Sequence, residues 1–152
     1  MPTAAIDTPL GRIGLTERDG AIVSVHWDSR AGDPETPLLT EALAQLAAYF
    51  DGDLTAFDLP LNPAGSDFQK QVYDLMLAIP YGHTRSYGDL AKDLGVAPQP
   101  IGQACGSNPI PIIIPCHRVL AAGGGLGGFS AKGGVETKVA LLRREKAAGL
   151  LL

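Results

Sequence analysis

The sequence predicts an α+β protein. A small N-terminal unit of sheet plus helix is expected over residues 1–63, and a mostly α-helical unit over residues 64–152. Three observations carry this. Period-two apolar alternation flanks Asp19-Gly20, a dipeptide that closes tight hairpins. From Phe68 onward the apolar period changes to that of a helix. Between the two lies Leu61–Gly65, a Pro/Asn/Gly linker.

The strands are expected over Arg12–Thr16 and Ala21–Trp27. Ser29–Pro37 is a polar connection. Thr40 is placed to cap a helix with Leu43, Leu46, Ala47 and Phe50 on its apolar side, and Asp51-Gly52 stops it. Ala56–Leu61 has an extended pattern. In the second unit, Ser66 and Gln69 have capping-box spacing. Phe68, Val72, Leu75, Met76 and Ile79 then fall on one face, ended by Pro80-Tyr81-Gly82. Ser86 and Asp89 repeat the cap spacing for a short helix stopped by Gly95, and a further helical stretch covers Gln99–Gly106. This pattern fits a helix-turn-helix, although read alone it favours an ordinary pair of packed helices. Asn108–Pro115, punctuated by prolines, is expected as a buried extended segment or turn. A final helix is expected over Gly134–Ala148, with Val135, Val139 and Leu142 on one face.

Composition narrows the function classes. Of 152 residues 45% are hydrophobic, enough for a core, and Gly and Pro together number 31. Met1–Ile6 lacks the basic and apolar regions of a signal peptide, and no apolar run approaches the roughly 20 residues that span a bilayer, so a cytoplasmic protein away from membranes is expected. Two cysteines, Cys105 and Cys116, without C-x-x-C and with three histidines, make a poor metal site. The net charge of −4 splits into −8 over residues 1–83 and +4 over residues 84–152, so a polyanion can approach the second half.

Residues 123–134 hold seven glycines, and Gly123, Gly125 and Gly128 match G-x-G-x-x-G. No strand precedes them and no helix opens after them, which excludes a dinucleotide fingerprint; a mobile loop is expected. Cys116 is the candidate nucleophile, because a thiolate is far more reactive than a thiol and His117 and Arg118 put potential positive charge beside it. Read from pattern alone, a buried inert cysteine is the favoured reading, and it is the reading kept for Cys105.

Pro115-Cys116-His117-Arg118-Val119, with Asn108-Pro109 upstream, resembles the active-site signature of the O6-alkylguanine-DNA alkyltransferases, also called methylated-DNA–protein-cysteine methyltransferases. The likeness continues through Tyr49-Phe50-x-Gly52, Phe68-Gln69, Ile79-Pro80-Tyr81-Gly82, Thr84-x-Ser86-Tyr87 and Gly127-Gly128-Phe129-Ser130. Thr8-Pro9-Leu10-Gly11 resembles the family's N-terminal strand.

The resemblance implies a ribonuclease H-like N-terminal domain and a C-terminal domain with a helix-turn-helix that binds double-stranded DNA through the minor groove. It implies base flipping and a single-turnover transfer of the alkyl group from O6-alkylguanine, and from O4-alkylthymine, to Cys116, with no cofactor or metal. In that scheme His117 takes the proton through a water, Glu145 orients it, and Asn108 joins the helix pair to the cysteine segment. Two residues inserted near Ala131-Lys132 make Glu136 the alternative to Glu145. Tyr87, Val119, Phe129 and Ser130 would meet the base, and Tyr87, Gly88, Gln99, Gly102, Ala104 and Arg118 the DNA. Gln99 stands where the family places a finger arginine. A monomer is expected, with cooperative binding on DNA left open. The competing functions are a non-catalytic binder of alkylated DNA, a cysteine hydrolase and a transcriptional regulator.

Overall fold

The computed structural model of the chain describes residues 1–121, 125–127, 129 and 133–147. It divides into two compact units, Met1–Ala64 and Gly65–Leu152.

In the first unit, β1 (Thr3–Thr8), β2 (Gly11–Arg18) and β3 (Ala21–Trp27) form an antiparallel meander. Asp19 (φ 51°) and Gly20 (φ 79°) both adopt left-handed angles, as a hairpin turn matched to strand twist requires. Thr8–Gly11, expected as strand, is instead the β1–β2 turn: Thr8 pairs with Gly11, leaving Pro9 and Leu10 to reverse the chain. Helix α1 (Pro37–Phe50) packs on β1 and β2 and buries Leu39, Ala42, Leu43 and Leu46.

Thr36, not Thr40, caps α1; its hydroxyl accepts from the Leu39 N–H at 3.1 Å. Pro37 sits in the first turn, where its missing N–H leaves no bond unmade, and so moves the start four residues upstream. Such a cap contributes about 1 kcal/mol. Of the Ala56–Leu61 stretch only Leu61 joins the sheet, by a bridge to Ile22.

In the second unit, α2 (Asp67–Leu77) opens with the full capping box of Ser66 and Gln69 and buries Val72, Tyr73 and Met76. A two-residue strand β4 (Arg85–Ser86) leads directly into α3 (Tyr87–Leu94), which Ser86 and Asp89 cap reciprocally. Gly95 ends α3 in the left-handed region (φ 68°), and α4 (Pro98–Gly106) follows after Val96 and Ala97. This is the helix-turn-helix.

Residues 108–115 form a buried turn and not an extended run. Asn108 makes the turn: its Nδ2 donates to the Ile114 carbonyl at 2.8 Å and its Oδ1 accepts from the Ile110 N–H at 2.9 Å. Ile112 takes φ 73°, a conformation that a β-branched residue adopts only where its surroundings impose it. A 3-10 turn over Cys116–Arg118 and strand β5 (Val119–Leu120) follow, and β5 pairs in parallel with β4.

The last helix, α5, spans Val135–Arg144 and not Gly134–Ala148. Val135 is 42% exposed, so it does not belong to the buried face, which is built from Lys138, Leu141 and Leu142. The helix ends in a Schellman arrangement: the Ala147 N–H bonds the Leu142 carbonyl at 3.0 Å and the Lys146 N–H that of Arg143 at 3.1 Å. Lys146 occupies the left-handed position (φ 53°) usually held by glycine. Leu120, Leu142 and Ala147 close an apolar cluster with Leu126 against it. Among the described residues no helix is long and apolar enough to cross a membrane.

Candidate active site

Three local structures converge on Cys116. The β4–β5 ladder pairs Arg85 with Val119 and Ser86 with Leu120. Ser86 also caps α3, so Tyr87, the first helical residue, is tied to the chain just beyond the cysteine. The Asn108 turn sets the entry into Cys116, and the C-cap of α5 delivers Glu145.

Cys116 is 7% exposed. Burial pushes its thiol up from the ordinary value; a hydrogen bond from the Asn108 side chain, the nearby Lys138 charge and the backbone N–H groups of Cys116 and His117 oppose that rise without cancelling it. At rest the sulfur is therefore a thiol surrounded by groups that favour the thiolate, and a base must take its proton.

The next residue, His117, is the candidate for that base. His117 is fully buried, and its Nε2 lies 2.7 Å from Glu145 Oε2. A carboxylate only accepts hydrogen bonds, so Nε2 carries the proton and Nδ1 presents its lone pair. Nδ1 is buried and has no hydrogen-bond partner among the described residues. Burial pulls the imidazole below its ordinary value, although Glu145 opposes this. A neutral imidazole with an open acceptor nitrogen is the form that receives a proton.

Glu145, expected to orient the histidine, is 2% exposed and lies within hydrogen-bond distance of it. Glu136 is exposed in the first turn of α5 and cannot stand in for it. Arg118, expected at the DNA, is turned inward: its Nε and Nη2 donate to the two oxygens of Glu145 at 2.8 and 3.1 Å, and its Nη1 donates to the Ile79 carbonyl at 2.7 Å. The sequence puts a cation beside the cysteine, but the fold pairs that charge with a carboxylate.

Tyr87 is half-buried, and burial, then the two sulfurs, raise its hydroxyl above the ordinary value. It stays protonated and can donate. A side chain at Gly127 would come within 2.9 Å of its hydroxyl, so only glycine lets the loop approach this closely. Val119 is fully buried; its N–H bonds the Cys116 carbonyl and its carbonyl accepts from Lys138 Nζ at 2.7 Å. Phe129 is half-buried, and Ser130 lies outside the described residues, as does much of the glycine-rich loop. The sequence reading missed Lys138. Its signal was present: Lys138, Leu141, Leu142 and Glu145 share one helical face, with two charges bracketing an apolar pair.

On α4, Gln99 is exposed, and Gly102 and Gly106 face open space: a methyl group added to either would meet nothing within 4 Å. Ala104, expected at the DNA, is 2% exposed and faces the core with Ile101 and Cys105. Three residues after Ile101, it shares the inward face of the helix. Gly88 is half-buried in the first turn of α3. Among the described residues no group of three or more His, Cys, Asp or Glu could hold a metal ion.

Comparison with known proteins agrees with this geometry. Residues 1–63 match the family model of the 6-O-methylguanine DNA methyltransferase ribonuclease-like domain, and residues 67–147 that of its DNA-binding domain. The chain is 42% identical to the methylated-DNA–protein-cysteine methyltransferase of Mycolicibacterium paratuberculosis, over 97% of this chain and 95% of that one. It is 37% identical to the constitutive enzyme of that name from Bacillus subtilis, over 92% of each. A crystal structure of Mycobacterium tuberculosis OGT in complex with DNA superposes with a TM-score of 0.85 at 42% identity, covering 95% of this chain and 92% of that one. With a helix-turn-helix, a buried cysteine and a histidine–glutamate pair in one unit, this chain belongs to the 6-O-methylguanine DNA methyltransferase family.

Proposed function

We propose that this protein repairs DNA by moving the alkyl group of O6-alkylguanine onto Cys116, once per molecule, with O4-alkylthymine as a second substrate. The observation that carries the reading is Nδ1 of His117, a buried acceptor with no partner among the described residues, held by Glu145 one residue along the chain from Cys116.

DNA is the partner. The exposed face of α4 offers Gln99, Gly102 and Gly106 to a narrow groove, where absent side chains permit close approach. The alkylated oxygen lies inside the duplex, so the base must leave the stack first. Gln99 would fill the gap with an uncharged amide, hydrogen-bonding the orphaned pyrimidine. Tyr87 meets the flipped base, and the Val119 carbonyl, which keeps a second lone pair beside its bond from Lys138, reads the guanine edge together with Phe129 and Ser130.

In the transfer, the Cys116 sulfur forms a bond to the alkyl carbon as the bond from that carbon to O6 breaks. The sulfur's proton passes through a water to His117 Nδ1 and ends on the departing guanine, with Tyr87 as a hydrogen-bond donor to it. The product thioether has no activated carbonyl for water to attack, so the protein is consumed. It acts as a monomer.

The test is intact-mass measurement after incubation with duplex DNA containing O6-methylguanine. The expected result is a gain of one methyl group per molecule, located on Cys116. An unchanged mass with retained DNA binding would instead identify a non-catalytic damage binder.

A further inference from the structure

Arg118 takes no part in the proton path, yet every nitrogen of its guanidinium is engaged. Its fork holds both oxygens of Glu145, its third nitrogen is anchored on the Ile79 carbonyl, and its guanidinium carbon sits 5.8 Å from the centre of the Tyr81 ring. Tyr81 is fastened in turn by its hydroxyl, which donates to the Arg144 carbonyl at 3.2 Å. The fork therefore has one available plane.

We propose that Arg118 is a positioning residue of the transfer reaction: it neutralises Glu145 so that this carboxylate orients His117 without drawing a second proton onto the ring, and the imidazole stays an open acceptor for the Cys116 proton. This rests on the reading of Cys116 as the alkyl acceptor.

Charge counting carries the argument. Arg118 and Glu145 together are neutral, so the trio of His117, Glu145 and Arg118 has no net charge while His117 is uncharged. Protonating His117 would add a positive charge inside a site shielded from water, and Lys138 on α5 already contributes another. Without Arg118, a buried carboxylate facing one imidazole would be neutral overall only with one further proton, either as an imidazolium–carboxylate pair or as a carboxylic acid donating to Nε2, and in both forms Nδ1 would carry a hydrogen before the reaction began. The charged groups acting on the imidazole are thus Glu145 and Lys138 from α5 and its cap, and Arg118 from its own turn.

The experiment is the pH dependence of single-turnover methyl transfer, with 15N spectra of the His117 ring in the wild-type protein. The wild-type ring should be neutral at neutral pH, with its hydrogen on Nε2. Arg118→Met should raise the pH below which transfer fails by at least one unit, so that near pH 6 its rate falls about tenfold and recovers as pH rises. Arg118→Lys, which keeps the charge, should stay close to wild type in that limb. An equal loss for Arg118→Met at every pH, or a wild-type His117 already protonated at neutral pH, overturns the proposal. Should Arg118→Met not fold, the wild-type spectra and the Arg118→Lys profile decide. A wild-type protein that transfers no methyl group defeats the repair function itself; one that transfers with an unmoved acid limb in Arg118→Met defeats only the role of Arg118.

Discussion

The two cysteines of this chain lie in the same unit, are both buried, and are both pushed toward the thiol by that burial. Cys105 sits on the inner face of α4 with its thiol directed at Met76 Sδ at 3.6 Å, and its pKa rises to about 12. Cys116 begins a 3-10 turn, with the Asn108 side chain and two backbone N–H groups on its sulfur and a histidine–glutamate pair behind it. Burial alone therefore does not separate the proposed nucleophile from the cysteine read as inert. The difference is the supply of hydrogen-bond donors that favour the thiolate and of a base to receive the proton.

The largest effect should come from removing each sulfur in turn. Cys116→Ala should abolish transfer while DNA binding persists, as seen by intact mass and by a mobility-shift titration. Cys105→Ala should transfer normally and lose only about 1 kcal/mol of stability in urea unfolding, from the small cavity beside Met76. Transfer surviving in the first variant, or vanishing from a folded second one, would reverse the assignment.

A subtler test uses the opposite faces of α4, one holding Cys105 and the other open. Gly102→Ala replaces a helix-interior glycine whose added methyl meets nothing within 4 Å. Helix propensity predicts a gain of about 0.5–1 kcal/mol in stability. DNA affinity should fall several-fold if this face enters a groove. Stability and binding moving in opposite directions is the signature; unchanged affinity would take the face away from the DNA.

The smallest effect concerns protons. His117 is held below its ordinary value, chiefly by burial. As pH falls through about 6.5, the unfolded chain binds a proton that the folded protein refuses, so folding stability is present above that pH and declines below it. Urea unfolding between about pH 7 and about pH 5.5, above the ordinary carboxylate range, checks the sign. Stability that rises on acidification would place a charged imidazole in the fold and undo the distinction between the two cysteines' surroundings.

Much of the architecture was legible from short-range chemistry. Both capping boxes, the Asp19-Gly20 hairpin and the Gly95 stop appear as expected, because each is made by residues within four positions of one another. Thr40 misled because Pro37 can open a helix as well as interrupt one. Arg118 misled because a cation beside a nucleophile looks the same in sequence whether it faces DNA or a buried carboxylate.

The sequence by itself determined the order of elements and, through ordered motifs, the family and the candidate nucleophile. Only the tertiary structure decided the geometry of the groups around the sulfur, and it added Lys138 and the inward-turned Arg118 to them. His117 and Glu145 meet across 28 positions, Lys138 and Val119 across 19, and Arg118 and Ile79 across 39. No local pattern encodes such pairs. They arise because buried charges must find partners, and only the folded chain brings those partners within reach.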